Sequence, residues 1–198
     1  MRPGKDMGTQ LRRDWMAVVS GLLMAGAVQG VAGDAAPEYR IKAAFLINFA
    51  RFVEWPATAF ASADAPLVFC IFGRDPFDGA LDQIANGKTI NGRPLLIQRT
   101  SLPGELRSCH VVFFPTAQER GYSEIAGGLA GLSILMVGER SGFAGRDGMI
   151  NFVVEDGHVR FEVNPSAAAR GHVKVSSKLL QLAIIAGSAP GGKCPSKN

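Results

Sequence analysis

Residues 67–73 read LVFCIFG, six apolar residues closed by a glycine. A continuous apolar run this short is what a strand needs when both of its faces are covered, and such strands belong to parallel sheets sandwiched between helices. Working outward, PLLIQR (94–99), HVVFF (110–114) and SILMVGE (133–139) are further strand candidates. The segments between them read as helices. Asp75-Pro76 can open a helix running to about Ala85, because Asp caps, Pro suits the first turn and Asp78 complements the helix dipole. Asn86-Gly87 stops it, and Gln118 to Leu129 is the next helical stretch.

On the N-terminal side, Ile41, Phe45, Phe49, Phe52 and Val53 recur at steps of three and four, an amphipathic helix over 35–53. Arg40, Lys42 and Arg51 are expected on its other side, and Trp55-Pro56 ends it. On the C-terminal side the pattern changes. MINFVVEDGHVRFEVN (149–164) holds two strand runs around Glu155-Asp156-Gly157, a hairpin signal. Ala167–Arg170 forms a short turn or helix, and Ser176-Ser177 can cap a final helix, Lys178 to Ala186, stopped by Gly187 and Pro190. The expected fold is a single three-layer α/β domain over 34–188, with a mostly parallel sheet, a C-terminal β-hairpin and flanking helices, followed by a flexible tail at 189–198.

The chain has 198 residues, 47% hydrophobic and 19% charged, which excludes a disordered or fibrous protein. Residues 1–33 read as a cleaved secretory signal peptide: Arg2, Lys5, Arg12 and Arg13, then the uncharged WMAVVSGLLMAGA (15–27), then Val31-Ala32-Gly33. The run is short and rich in Gly and Ala for a membrane span, and a retained N-terminal anchor or a buried helix is the alternative to cleavage. Without this segment, 17 basic residues face 15 acidic ones and the net charge falls from +4 to +2. A nucleic-acid partner is therefore not supported. The expected location is the periplasm.

Cys70 and Cys109 sit in or beside strand runs, and neighbouring strands could bring them together as a structural disulfide in an oxidising compartment. The alternative is two unlinked buried thiols. Cys194 lies in the tail. No cysteine pair has metal-ligand spacing, and His110, His158 and His172 are scattered, so neither a metal site nor a cofactor is expected. No G-x-S-x-G elbow or phosphate-binding G-x-x-x-x-G-K loop is present, and no catalytic constellation is read. The residues alone describe an exported, non-catalytic α/β domain.

Four segments together resemble the YfiR family: FARFVEWP (49–56), FCIFGRDPF (69–77), NGRPL with LRSCHVVFF (91–95 and 106–114), and FEVNPSAAARGHVKVSSKLLQLA (161–183). The resemblance covers about 38–186. It implies a periplasmic repressor that binds the periplasmic domain of an inner-membrane diguanylate cyclase, lowering cyclic-di-GMP and biofilm. It also implies an OmpA-type outer-membrane lipoprotein as the partner that relieves repression. Cys70 and Cys109 match the positions of a family disulfide, whereas a second one, near SGFAGRDGMINF (141–152) in some members, has no cysteines here. The expected partner-binding residues are Trp55, Glu162, Asn164, His172 and Lys174. Strand alternation buries Phe161 and Val163 and turns Glu162 outward. Trp55 could equally close the core over the first helix. A homodimer is left open, and a periplasmic small-molecule-binding or transport accessory protein is the alternative function.

Overall fold

The computed structural model describes residues 37–116, 121–146 and 148–186; the expected signal peptide and C-terminal tail, with Cys194, lie outside them. Its centre is an eight-stranded sheet. Strands β2 (Leu67–Phe72), β5 (Val111–Phe114) and β6 (Leu135–Gly138) form its middle, and every residue in them is buried. They run parallel, with Cys70 opposite Val112 and Val112 opposite Met136. On the far side of β2 lie β4 (Arg93–Thr100), parallel to it, and the short β3 (Thr89–Ile90), antiparallel to β4. On the far side of β6 come β7 (Ile150–Glu155), β8 (His158–Val163) and finally β10 (Ile184–Ile185). The mostly parallel sheet expected from the apolar runs is present.

Side-chain alternation along β5 proves the three layers. Neighbouring residues of a strand point to opposite faces. Phe113 meets Phe77 at 4.9 Å and Phe152 at 6.2 Å, on the face covered by α1 (Pro37–Arg51), whose Phe49 stacks on Phe152. Phe114 meets Phe72, Tyr122 and Phe143 on the other face, where α3 (Tyr122–Leu129) and α4 (Phe143–Arg146) begin. Each buried phenylalanine contributes roughly 1.5–3 kcal/mol of hydrophobic stabilisation, so these two clusters hold the helical layers to the sheet.

The hairpin forms as its sequence requires. Asp156 and Gly157 are the two loop residues, with φ of 49° and 74°, the left-handed pair of a tight turn that matches strand twist. After it, α5 (Pro165–Arg170) is capped by Asn164, whose Oδ1 accepts the Ala167 N–H at 3.0 Å. β9 (Lys174–Val175) then turns back to pair with β1 (Val53–Glu54), giving a separate two-stranded ribbon that ties the end of α1 to the C-terminal third.

Three expectations are corrected. In α1, Ile41 is 48% exposed and Lys42 is buried, because Glu139 supplies the charge that lets a lysine point inward. Asp75 does not cap a helix: its Oδ1 accepts the Phe77 N–H at 2.7 Å in a local turn, and α2 starts later, at Ala80–Ala85, behind Gly79. The last helix, α6 (Ser177–Leu182), keeps its Ser176 cap but ends early, since Ile184 and Ile185 pair in parallel with Glu162 and Val163 as the edge strand β10. Two β-branched residues beside an open edge gain ladder bonds there that a fraying helix end could not offer.

Candidate functional site

The chain leaves β2 towards β4 on one side and returns to β5 on the other. Such a reversal opens a crevice beyond the carboxyl ends of the strands. Thr116 follows β5 there, and Glu139 follows β6. Glu139 is the hub. Its side chain is only 2% exposed, and its Oε2 lies 2.6 Å from Lys42 Nζ, itself 5% exposed. Its Oε1 accepts the Thr116 N–H at 2.8 Å and the Tyr39 hydroxyl at 3.2 Å. Lys42 also reaches Glu38 one helical turn back, at 2.5 Å.

Burial alone would lower the Lys42 pKa, but hydrogen bonds to Glu139 and Glu38 outweigh it and hold the ammonium above its ordinary value. Tyr39 is pushed up by burial first and by the neighbouring Glu139 charge second. Lys42 is therefore a locked cation and Tyr39 a neutral donor. Neither is poised for proton transfer near neutrality.

A cleft of about 430 Å³ opens beside this cluster, lined by Glu38, Tyr39, Lys42, Glu139, Val154 and Glu162 among others. Three carboxylates face one ammonium there, so the cleft is acidic. A second crevice of about 560 Å³ shares Thr116, Glu139 and Ser141 and is lined beyond them by Tyr122, Arg140 and Arg146. Among the described residues no group of three or more His, Cys, Asp or Glu side chains could hold a metal ion, and no helix is long and apolar enough to cross a membrane.

The structure separates the sequence-predicted contact residues into three places. Glu162 is half-buried in the acidic cleft between buried Phe161 and Val163, and its Oε2 accepts from the fully buried Asn151 Nδ2 at 3.1 Å. Trp55, His172 and Lys174 belong to the β1–β9 ribbon and its flanks. Lys174 pairs with Glu54 at 3.2 Å across the ribbon, both side chains well exposed. His172 is exposed with a φ of 54°, and Trp55 is half-buried against the core. Asn164 spends its side chain inside the fold, capping α5 and donating from Nδ2 to the Ala144 carbonyl at 2.6 Å.

Cys70 and Cys109 are joined by a disulfide with Cα atoms 6.0 Å apart, closing a span of 39 residues within the core. Sequence reasoning missed Lys42, Tyr39 and Glu139. Their signal was present: Glu38 and Lys42 stand four residues apart, and Glu139 ends an otherwise apolar strand.

Among solved structures, the fold is similar to an ABC domain in complex with L-Trp from Streptococcus pneumonia, at 9% identity and a TM-score of 0.42, covering 62% of this chain and 55% of that one. The chain thus spans little more than half the length of that protein. A family model matches residues 39–184, from the first turn of α1 to β10. The chain belongs to the YfiR/HmsC-like family.

Proposed function

We propose that this protein represses an inner-membrane diguanylate cyclase by binding the cyclase's periplasmic domain, and so lowers cyclic-di-GMP and biofilm formation. The single observation that supports this reading is the family match over residues 39–184, which takes in the sheet as far as Ile184, the acidic cleft except Glu38, and the ribbon. In this reading the chain is exported by its first 33 residues and cleaved near Gly33. An OmpA-type outer-membrane lipoprotein relieves the repression by sequestering it. Glu162 supplies a carboxylate at the rim of the cleft, fixed by Asn151 and suited to a basic group on the partner. Trp55 and Lys174 offer a second contact area on the ribbon.

Deleting the gene in a strain that expresses the cognate cyclase should raise cellular cyclic-di-GMP, and a Glu162→Lys copy should fail to bring it down. Unchanged cyclic-di-GMP after deletion would falsify the repressor reading. Full complementation by Glu162→Lys would remove this residue from the interface and leave the repressor in place.

A small-molecule receptor is the second reading, favoured by two crevices of about 430 and 560 Å³ at the strand ends. Native mass spectrometry of the protein purified from periplasm would separate the two: a stoichiometric small ligand supports the receptor, a co-purified cyclase fragment the repressor.

A further inference from the structure

At the opposite end of the sheet, where β4, β2 and β5 begin, the segment from Ala57 to Ala65 lies across the strand starts. Its hold on the sheet runs through two side chains. Arg93, first residue of β4, donates from Nη1 to the carbonyls of Ala65 at 2.7 Å and Ser62 at 3.0 Å, with its guanidinium 3.6 Å from the Phe60 ring centre. The other face of Phe60 stacks on the His110 imidazole, centroids 4.5 Å apart and planes 17° apart. His110 is therefore the inner plate of a three-layer stack and is 7% exposed.

Both ring nitrogens of His110 are committed. Nδ1 accepts the Val68 backbone N–H at 3.1 Å, and Nε2 lies 3.0 Å from the Ala59 carbonyl. A backbone amide has only a proton to offer, so Nδ1 must carry the lone pair and Nε2 the hydrogen. The His110 amide in turn donates to the Val68 carbonyl at 2.9 Å. One residue of β2 thus gives both its backbone groups to His110, while the far side of the ring holds the loop.

We propose that His110 is a proton-operated latch for the segment 57–65: neutral, it pins the segment to the sheet, and protonated, it releases it and loosens the wall beside Trp55. The chemistry follows from the tautomer. A proton added to Nδ1 meets the Val68 N–H head-on, replacing an accepted hydrogen bond by two opposed donors in a buried site. The new charge also lies across a single ring from the Arg93 guanidinium. Stacking on Phe60 offsets part of this, but that one ring then serves two cations, one on each face.

The charged groups around the site all leave His110 as the switching element. Arg93 faces it from β4, bound to the Ser62 and Ala65 carbonyls. Asp64 on the segment itself is exposed and bound by the Ser62 hydroxyl. From the turn before β5, Glu105 is tied to Thr100, and Arg107 donates to the Gly128 carbonyl. Glu54 beside Trp55 pairs with Lys174. Burial, the largest influence, pushes the His110 pKa below the ordinary histidine value; Arg93 acts in the same sense, and the Ala59 carbonyl opposes both.

Of the two tryptophans, Trp15 falls in the expected signal segment, so in the mature protein Trp55, which shares a small cleft with Phe60 and Arg93, is the reporter. Between about pH 8 and 5 its emission should shift to the red with a midpoint below the 6.5 of a free histidine, with far-ultraviolet dichroism unchanged. His110→Gln, which keeps an acceptor and a donor, should abolish the shift, while exposed His158 and His172 changed together to Gln should not. In the unmodified protein, nitrogen-edited NMR of the imidazoles should find His110 as the Nε2–H tautomer. The amides of Val68, Ala59 and Phe60 should move with its midpoint. An Nδ1–H tautomer at neutral pH, or His110 titrating while residues 57–65 stay fixed, overturns the latch. So does a Trp55 transition that survives His110→Gln.

Discussion

Lys42 and Glu139, 97 residues apart in the chain, meet at 2.6 Å with almost no exposure of either side chain. The pair fastens α1 to the end of β6 beside the acidic cleft. Removing one partner strands a buried charge. Lys42→Met or Glu139→Leu alone should therefore cost about 3–5 kcal/mol, whereas the two changes together should cost much less, because apolar replacement of a whole buried pair is often near neutral. Urea unfolding of the three variants checks this. A loss in the double variant equal to the sum of the two single losses would show that the lysine and glutamate act separately.

The same cluster sets the alkaline limit of stability. Lys42 and Tyr39 both have folded pKa values above their ordinary 10.5 and 10.0. For each, the unfolded chain loses its proton first, so the contribution is complete below the unfolded value and is lost as pH rises through the folded one. Unfolding free energy measured from pH 9 upward should therefore fall above about pH 10, and Tyr39→Phe with Lys42→Met should flatten the fall. An alkaline slope identical in that double variant would assign the loss to other groups.

Much of the architecture could be read from short apolar runs, because β2, β5 and β6 are buried on both faces and leave no room for polar residues. The hairpin was legible for a local reason, the left-handed Asp156-Gly157 pair. Local patterns failed where a distant residue decides. Lys42 reads as a surface lysine until Glu139 is placed against it. The α6 boundary depends on a vacant edge beside β8 that only the assembled sheet provides. Of the expected contact residues, Glu162 gained a fixed geometry through Asn151, and Asn164 was drawn into capping. The cleft itself is made of residues from α1, the turn after β6, β7 and β8, a juxtaposition that no single stretch encodes.

Phe143 fills the space between two glycines. A Cβ built on Gly148 would lie 2.0 Å from the Phe143 ring, and one on Gly138 would lie 2.5 Å from it. Phe143 cannot retreat, since it is 1% exposed and packed against Phe114 and Tyr122. Gly148→Ala should thus destabilise by about 1–3 kcal/mol or more through overpacking. Gly148→Ala combined with Phe143→Leu should recover part of that loss. Thermal unfolding of both variants tests the reading, and a Gly148→Ala chain as stable as the parent would refute it.

Two surfaces compete for the partner, the acidic cleft with Glu162 and the ribbon with Trp55 and Lys174, and charge reversal can tell them apart. The Lys174–Glu54 pair is exposed, so breaking it should alter stability by no more than about 1 kcal/mol. Reversing Lys174 to Glu therefore isolates recognition from folding. If the ribbon carries the contact, Lys174→Glu should weaken repression and leave cyclic-di-GMP high, while Glu162→Lys should leave it low. If the cleft carries it, the two results exchange. A swap of both ribbon charges, Glu54→Lys with Lys174→Glu, restores the internal pair but not the charge pattern offered to a partner. Recovery of repression in the swap would therefore mean that the pair serves only to hold β1 on β9. Persistent loss, with the unfolding midpoint unchanged, would place Lys174 in direct contact with the cyclase.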